Sequence, residues 1–509
     1  MRQDVDETLL MGLDLGTSGC KAAVYRTDGQ VLARVTVRYP TASDGGGRAE
    51  QAPEDWWRAA RTAILRMAEA SQGLGTIRAI GLSGQVGSIT PLDKTGRVIT
   101  PQVPTWQDRR AAPDVTALED AFPPDRLGQW LGIRLPPGTN WPLPRLRWWR
   151  RSQPAAWAQI RHLLQAKDYV GWRLTGRLMT DASSWRGLVH LPDGADVPEL
   201  FAYLGLDPDV LPERRAPDSS RGSLDSAVAE DVGFSCEVAV GWNDLNCAAL
   251  GASLRRGEGF DIAGTSDHLG IVVGPDAEPP NPTLIRAPFV SGSQLLYGVT
   301  AASGGAWEWA RRCLASFEAD GGFTEIVHRA GDLAPGADGL VFLPHLAGER
   351  TPWWDPEARG ALVGITQAHR AEHVLRAVME GVALHLEDIR RRLPDPGSTL
   401  AYFKAAGGPT QIGLWNQIRA DVFGVALWVA GDPDVSCRGA GMLAAPLAGV
   451  DPGQLNCPWS VVEPDPERHA RYASLFPLFA EGYPRLRELF HALSRWPPAN
   501  AVTPGHLGP

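Results

Sequence analysis

The segment Leu9-Leu10-Met11-Gly12-Leu13-Asp14-Leu15-Gly16-Thr17-Ser18-Gly19-Cys20-Lys21-Ala22-Ala23-Val24-Tyr25-Arg26 holds two apolar runs joined by a glycine-rich turn. Leu9 to Asp14 reads as a strand, Leu15 to Gly19 as a loop, and Cys20 to Arg26 as the returning strand. Asp28-Gly29 then makes a tight turn into a third strand, Val31 to Arg38. Trp56 to Ala70 follows Pro53-Glu54-Asp55, a helix start, and places Trp57, Ala60, Ile64 and Met67 on one face. Ile77 to Leu82 is the next strand. Strands and helices keep alternating beyond it, which predicts an α/β architecture.

The first turn has an echo. Asp14-Leu15-Gly16-Thr17-Ser18 is matched by Asp261-Ile262-Ala263-Gly264-Thr265-Ser266, with one extra residue between Asp and Gly. The second copy sits between Gly259 to Ile262 and Leu269 to Val273, both strand-like. Two such hairpins half a chain apart predict two related domains. The boundary is placed near Ser253, giving domains 1–253 and 254–493. The helix expected from His369 to Arg392 carries Val374, Val378, Val382, Leu386 and Ile389 on one face, with Pro394 beyond it. Residues 494–509, rich in Pro and Gly, read as a loose tail.

Composition narrows the function. A chain of 509 residues exceeds one ordinary core, and 44% apolar with 21% charged residues is globular rather than disordered. The net charge of −9, with mixed signs along the chain, offers no basic footprint for nucleic acid or a membrane surface. Met1 to Thr8 lacks a signal-peptide pattern, and no apolar run reaches the roughly 18 residues of a membrane helix. Six cysteines without a CxxC pair read as buried thiols. A cytoplasmic protein is expected, with a homodimer as the candidate assembly.

A Gly-Thr-Ser turn between strands points successive backbone N–H groups into one concavity and lets the backbone approach a ligand closely. That is a phosphate cradle, although such a turn can also be purely structural. Asp14 could hold Mg²⁺ through water, because this ion keeps several waters and takes one or two carboxylates beside phosphates. Lys21 is close enough in sequence to add a charge. From pattern alone, Asp244 reads as a turn or N-cap aspartate before a helix from Ala248 to Leu254.

Gly12 to Gly19 resembles the opening of the FGGY carbohydrate kinases, and the likeness continues in order along residues 9–447. Gln85 follows a strand, as in the family's sugar-contact segment. Trp106-Gln107-Asp108-Arg109-Arg110 is similar to its tryptophan-and-aspartate motif. Lys167-Asp168-Tyr169, Leu174-Thr175-Gly176 and Thr180 to Ser183 resemble its first-domain signature. Gly348-Glu349-Arg350-Thr351-Pro352, Asp355-Pro356, Gly360 and Glu380-Gly381-Val382 resemble its second. Gly407-Gly408-Pro409 through Ala420-Asp421-Val422 is similar to the adenosine-side loop and helix, and Cys437 to Ala445 to the helix after it.

The resemblance implies two actin-like (ribonuclease H-like) ATPase domains with the active site in the cleft between them. It implies ATP and Mg²⁺ as cofactors and a sugar or polyol, such as a pentulose, as acceptor. Asp244 becomes the catalytic base. Asp14, Gly16, Thr17, Ser18, Lys21, Gly264, Thr265, Ser266, Gly305, Gly407, Gly408 and Gln411 become the nucleotide and metal side. Gln85, Trp106, Asp108, Asp244 and Asn246 become the acceptor side. The alternatives are a kinase-derived sugar sensor without turnover and a non-sugar actin-like ATPase.

Three departures stand out. Gln85-Val86-Gly87-Ser88 replaces the Gln-Met-His-Gly usual in the family's xylulose kinases, and Leu245 replaces Asn after the base. These changes remove polar groups expected at the sugar and predict altered acceptor specificity. Asp267 replaces a glycine after the second turn, where a carboxylate is tolerable only if it points away or meets a cation. His369-Arg370-Ala371-Glu372-His373 matches the H-x-x-E-H zinc pattern, but no third ligand follows at a sensible spacing, so it reads as a helix start.

Overall fold

The computed structural model describes residues 7–44, 47–134, 138–314, 322–394 and 400–496. Met1 to Asp6 and the tail beyond 496 lie outside the described residues. The chain forms two compact units. One comprises residues 1–262, 271–296 and 430–459, the other 263–270, 297–429 and 460–509.

In the first unit the opening hairpin forms as Thr8–Leu15 and Gly19–Arg26, followed by Val31–Arg38. The sheet runs in the order Ser220–Ser223, Glu237–Ala239, Thr76–Gly84, Thr8–Leu15, Gly19–Arg26, Val31–Arg38, and Trp242–Asn243 also pairs with Thr76–Gly84. Thr8–Leu15, Thr76–Gly84 and Trp242–Asn243 are parallel, so their carboxyl ends share one edge.

Alternate side chains of a strand face opposite sides, and both sides here are covered. Leu9, Met11, Leu13 and Leu15 pack with Trp56, Ala60, Ile64 and Met67. Leu10, Ala23, Tyr25 and Ala79 pack with Cys437 and Met442. The helix is Pro53–Ala70, and its buried tryptophan is Trp56. Trp57, expected on that face, sits at its margin under the Arg173 guanidinium.

Residues 430–459 return to the first unit because the helix Val435–Ala444 lies directly on this sheet. A Cβ at Gly12 would stand 1.8 Å from the Cys437 carbonyl oxygen, and one at Gly81 would stand 1.7 Å from that of Ala440. Only glycine permits that approach.

In the second unit Tyr402–Gly407 pairs in parallel with the strand beginning at Ala426, in register from Tyr402↔Ala426 to Ala405↔Val429. The helix Gly413–Phe423 connects them. The long helix is Ala371–Arg390, buried along most of its length. It is shorter at both ends than the expected His369 to Arg392, and at its start His369 and His373 serve the preceding backbone. His369 Nδ1 accepts from the Thr366 N–H, and His373 Nδ1 from the Arg370 N–H. The H-x-x-E-H spacing is thus used by the backbone. No helix among the described residues is long and apolar enough to cross a membrane.

Candidate active site

The shared carboxyl edge of the first unit's parallel strands carries the acids. Asp14 lies opposite Ser83 in the ladder, and Asn243 opposite Gly84. The Ser83 hydroxyl donates to Asp14 Oδ1 at 2.8 Å. Asp244 is the first residue of the helix Asp244–Gly251, four residues before the expected start. Its predecessor Asn243 is the N-cap and accepts from the Asn246 N–H at 3.1 Å. Asp244 is therefore not the cap, and its half-buried carboxylate accepts from the Leu245 N–H at 2.8 Å.

Charge tunes these groups. Burial raises the Asp14 carboxyl, Lys21 and the Ser83 hydroxyl pull it down, and Asp434 pushes it up, for a net rise. Asp244 is pushed up to about 6 by burial and by the Asp14 charge, against the Leu245 N–H and Arg186. A carboxylate near 6 holds a proton more readily than an ordinary aspartate and is still ionised at neutral pH. Lys21 faces Asp14 across the hairpin and binds Asp434 at 2.8 Å.

The first turn closes with the Gly16 N–H donating to the Gly19 carbonyl at 3.1 Å, and Ser18 is exposed. Thr17 accepts from the Trp106 indole at 2.9 Å through its hydroxyl and from Gln51 Nε2 at 2.7 Å through its carbonyl. Gln85 Nε2 donates to Gln51 Oε1 at 2.9 Å, and its own N–H donates to the Leu15 carbonyl. Trp106 and Gln85, expected on the acceptor side, are therefore tied directly to the Leu15–Gly19 turn segment.

Asp108 behaves differently. It is fully buried, accepts from the Ala49 N–H at 3.0 Å and from Arg110 Nη2 at 2.7 Å, and lies 3.5 Å from Arg145. Its carboxylate holds the Trp106 loop in place. Asn246 is also buried, with Nδ2 donating to the Pro288 carbonyl at 2.7 Å.

In the second unit Gly264 and Thr265 are exposed and Ser266 partly so. The Thr265 carbonyl accepts from the N–H groups of Ser303 and Gly305, at 2.9 and 3.0 Å, so Gly305 braces this turn at the start of the helix Gly304–Leu314. Asp267 is buried and meets a cation: Arg419 Nη2 lies 2.8 Å from Oδ2, and the Ser303 hydroxyl donates there at 2.7 Å. Its Oδ1 accepts from the Gly264 N–H at 3.2 Å, so the carboxylate holds the turn from behind. Gly407 and Gly408 begin a short loop in which the Thr410 hydroxyl donates to the Gly407 carbonyl at 2.7 Å, and Gln411 is exposed.

Sequence reading missed Ser83, Arg186, Asp434 and Arg419. Ser83 is recognisable only once the strand order sets it beside Asp14. Asp434 and Arg419 lie far along the chain from Lys21 and Asp267 and carry no local signal.

Carboxylates at a parallel-strand edge in the first unit, and a glycine-threonine-serine turn in each unit, are features that phosphoryl-transferring enzymes use. The profile described as "FGGY family of carbohydrate kinases, N-terminal domain" matches residues 9–251, and that of the C-terminal domain matches residues 261–448. The xylulose kinase of Bacillus subtilis (strain 168) is 28% identical over 500 residues, covering 95% of this chain and 98% of that protein. The crystal structure of ligand-bound xylulose kinase from Lactobacillus acidophilus superposes with a TM-score of 0.85 at 26% identity, covering 96% of this chain and 100% of that one. The gluconate kinase from Lactobacillus acidophilus gives the same TM-score and coverage at 25% identity. The chain belongs to the FGGY family of carbohydrate kinases. It has the family's two-domain, actin-like ATPase fold and is an ATP-dependent kinase that phosphorylates a sugar-type hydroxyl.

Proposed function

We propose that this kinase transfers the γ-phosphoryl group of ATP to a hydroxyl of a ketose or polyol other than D-xylulose, with Asp244 as the base. The observation that carries the assignment of the base is the place of Asp244 at the strand edge that also bears Asp14, where burial and the Asp14 charge hold its carboxyl above the usual range. A sugar hydroxyl is a poor nucleophile. A carboxylate within hydrogen-bond reach takes its proton as the oxygen attacks phosphorus, and positioning and charge neutralisation supply the rest.

Residues 1–253 would carry the acceptor and the base, and residues 254–493 the nucleotide. Thr17, Ser18, Thr265 and Ser266 would serve the phosphates, and Gly408 and Gln411 the nucleoside. A hard cation fits Asp14: its buried carboxylate has an oxygen fixed by Ser83 and lies near enough to Asp244 to raise it. Mg²⁺ held there through water would neutralise phosphate charge. A cytoplasmic enzyme accords with this chemistry.

The acceptor wall supports the departure from D-xylulose. Leu245 is buried and apolar. Gly87 has φ +91°, and a Cβ there would stand 2.6 Å from the Asn140 carbonyl oxygen. No histidine fits that backbone, so position 87 itself cannot supply the group usual in xylulose kinases. A second reading, an aldonate acceptor, is favoured by Arg186. Its Nε donates to the Ser183 carbonyl at 3.2 Å, its guanidinium lies 5.9 Å from the Trp141 ring centroid, and its charge pulls the Asp244 carboxyl down.

Steady-state kinetics on D- and L-pentuloses, tetritols, hexuloses and aldonates tests both readings. A ketose, polyol or aldonate should exceed D-xylulose in kcat/KM. If D-xylulose led the panel at about 10⁴ M⁻¹s⁻¹ or more, the altered wall would be neutral and this specificity reading wrong.

A further inference from the structure

The second unit buries a cluster that phosphoryl transfer leaves unused. His345 and Glu349 lie in the loop after the strand Val341–Leu343, and His385 lies on the helix Ala371–Arg390. The histidines are each 1% exposed and Glu349 is 4% exposed. Glu349 is aimed by its backbone partners. Its Oε1 accepts from the N–H groups of Ala301 and Arg350, both at 2.8 Å. Its Oε2 turns to both imidazoles, with His345 Nδ1 at 2.6 Å and His385 Nε2 at 3.5 Å.

The three potential ligand atoms lie within 4.8 Å of one another, the only such group of three or more His, Cys, Asp or Glu found among the described residues. A second observation points to a ligand. His385 Nε2 is fully enclosed and meets Glu349 Oε2 across 3.5 Å, too far and too poorly aligned for a well-formed hydrogen bond. The same ring is hydrogen-bonded to the Thr351 backbone. Metal-binding histidines are commonly oriented this way, with one nitrogen fixed by the backbone and the other left for the ion.

We propose that His345, Glu349 and His385 form a structural site for one divalent ion of the zinc class, fastening the 345–351 loop to the helix Ala371–Arg390. Two imidazoles and one carboxylate are a zinc donor set, with a fourth position for water. Imidazole nitrogen selects such ions over Mg²⁺, so the site is chemically distinct from the oxygen donor at Asp14. With Zn–N and Zn–O near 2.0–2.2 Å in a tetrahedron, ligand atoms stand about 3.3 Å apart. The 3.5 Å separation already suits this. The ion would replace the 2.6 Å His345–Glu349 hydrogen bond, drawing those two atoms about 0.7 Å apart. An enclosed ion is acquired as the chain folds, so binding couples to stability.

Elemental analysis of tag-free full-length protein, purified without chelator, should find about one zinc per chain. His385→Gln and His345→Asn should each remove most of it. Prolonged EDTA treatment should lower the wild-type Tm by about 5 °C, and Zn²⁺ but not Mg²⁺ should restore it. Co²⁺ in place of zinc should give the visible absorption of a four-coordinate nitrogen and oxygen site. A thiolate charge-transfer band would instead place the ion on cysteines and overturn the proposal. So would wild-type protein lacking zinc and unresponsive to EDTA and Zn²⁺, which would make the cluster a proton-bridged ion triad. The wild-type measurements decide the matter even if neither variant folds.

Discussion

Asp244→Asn isolates the base from everything else at the strand edge. Asparagine has nearly the same shape, and its Oδ1 can still accept from the Leu245 N–H that now binds the carboxylate. The Asn243 cap and the helix behind it are untouched. What disappears is a proton acceptor with a pKa of about 6. General-base assistance is worth about 10²- to 10⁴-fold, or roughly 3–5.5 kcal/mol of barrier.

A coupled ADP-release assay should therefore show kcat lowered at least about 100-fold, while calorimetry shows ATP binding within error of wild type. The acid limb gives a second readout. A group titrating near 6 is about nine-tenths ionised at pH 7 and one-tenth at pH 5, so wild-type kcat/KM for the acceptor should fall about tenfold between them. Residual activity of the variant should lack that limb. Stability moves the other way. The folded-state pKa lies above the unfolded value, so ionising Asp244 costs stability in full above about pH 6, and relief comes as pH falls towards about 4. The variant should match or exceed the wild-type Tm above pH 6, with the advantage fading on acidification. Near-normal turnover, or an acid limb near pH 6 that survives the substitution, would refute Asp244 as the base.

Asp14→Asn removes the like charge that helps raise Asp244, so the acid limb of its residual activity should move to lower pH. Asp267→Asn removes the negative charge 2.8 Å from the buried Arg419 guanidinium and should cost about 3–5 kcal/mol in urea unfolding; a loss under about 1 kcal/mol would mean the pair does not hold the turn. Thr265→Val removes only an exposed hydroxyl, leaving the carbonyl that braces Ser303 and Gly305, and should raise KM for ATP roughly fivefold without lowering Tm. Gly87→His should impair the acceptor site rather than restore D-xylulose use, because its Cβ meets the Asn140 carbonyl.

What the sequence made legible follows the range of each interaction. The opening hairpin was readable within a residue at each end because turn chemistry and period-2 patterning act over a few neighbours. The helix after it was readable, yet its buried face was misplaced by one tryptophan. Trp56 and Trp57 are adjacent and equally apolar, and only the sheet chooses between them. Asp244 was assigned through resemblance alone, because an aspartate before a helix is locally indistinguishable from a cap. Asn243 takes the cap, so the Asp244 carboxylate does not serve that role.

The pairings that decide the electrostatics were out of local reach. Asp14 with Ser83, Lys21 with Asp434, and Asp267 with Arg419 are separated by 69, 413 and 152 residues. Asp267 shows what that distance hides. Beside a turn proposed to hold phosphate a lone carboxylate reads as a defect. Opposite a buried arginine the same residue becomes a brace, and it no longer argues against turnover.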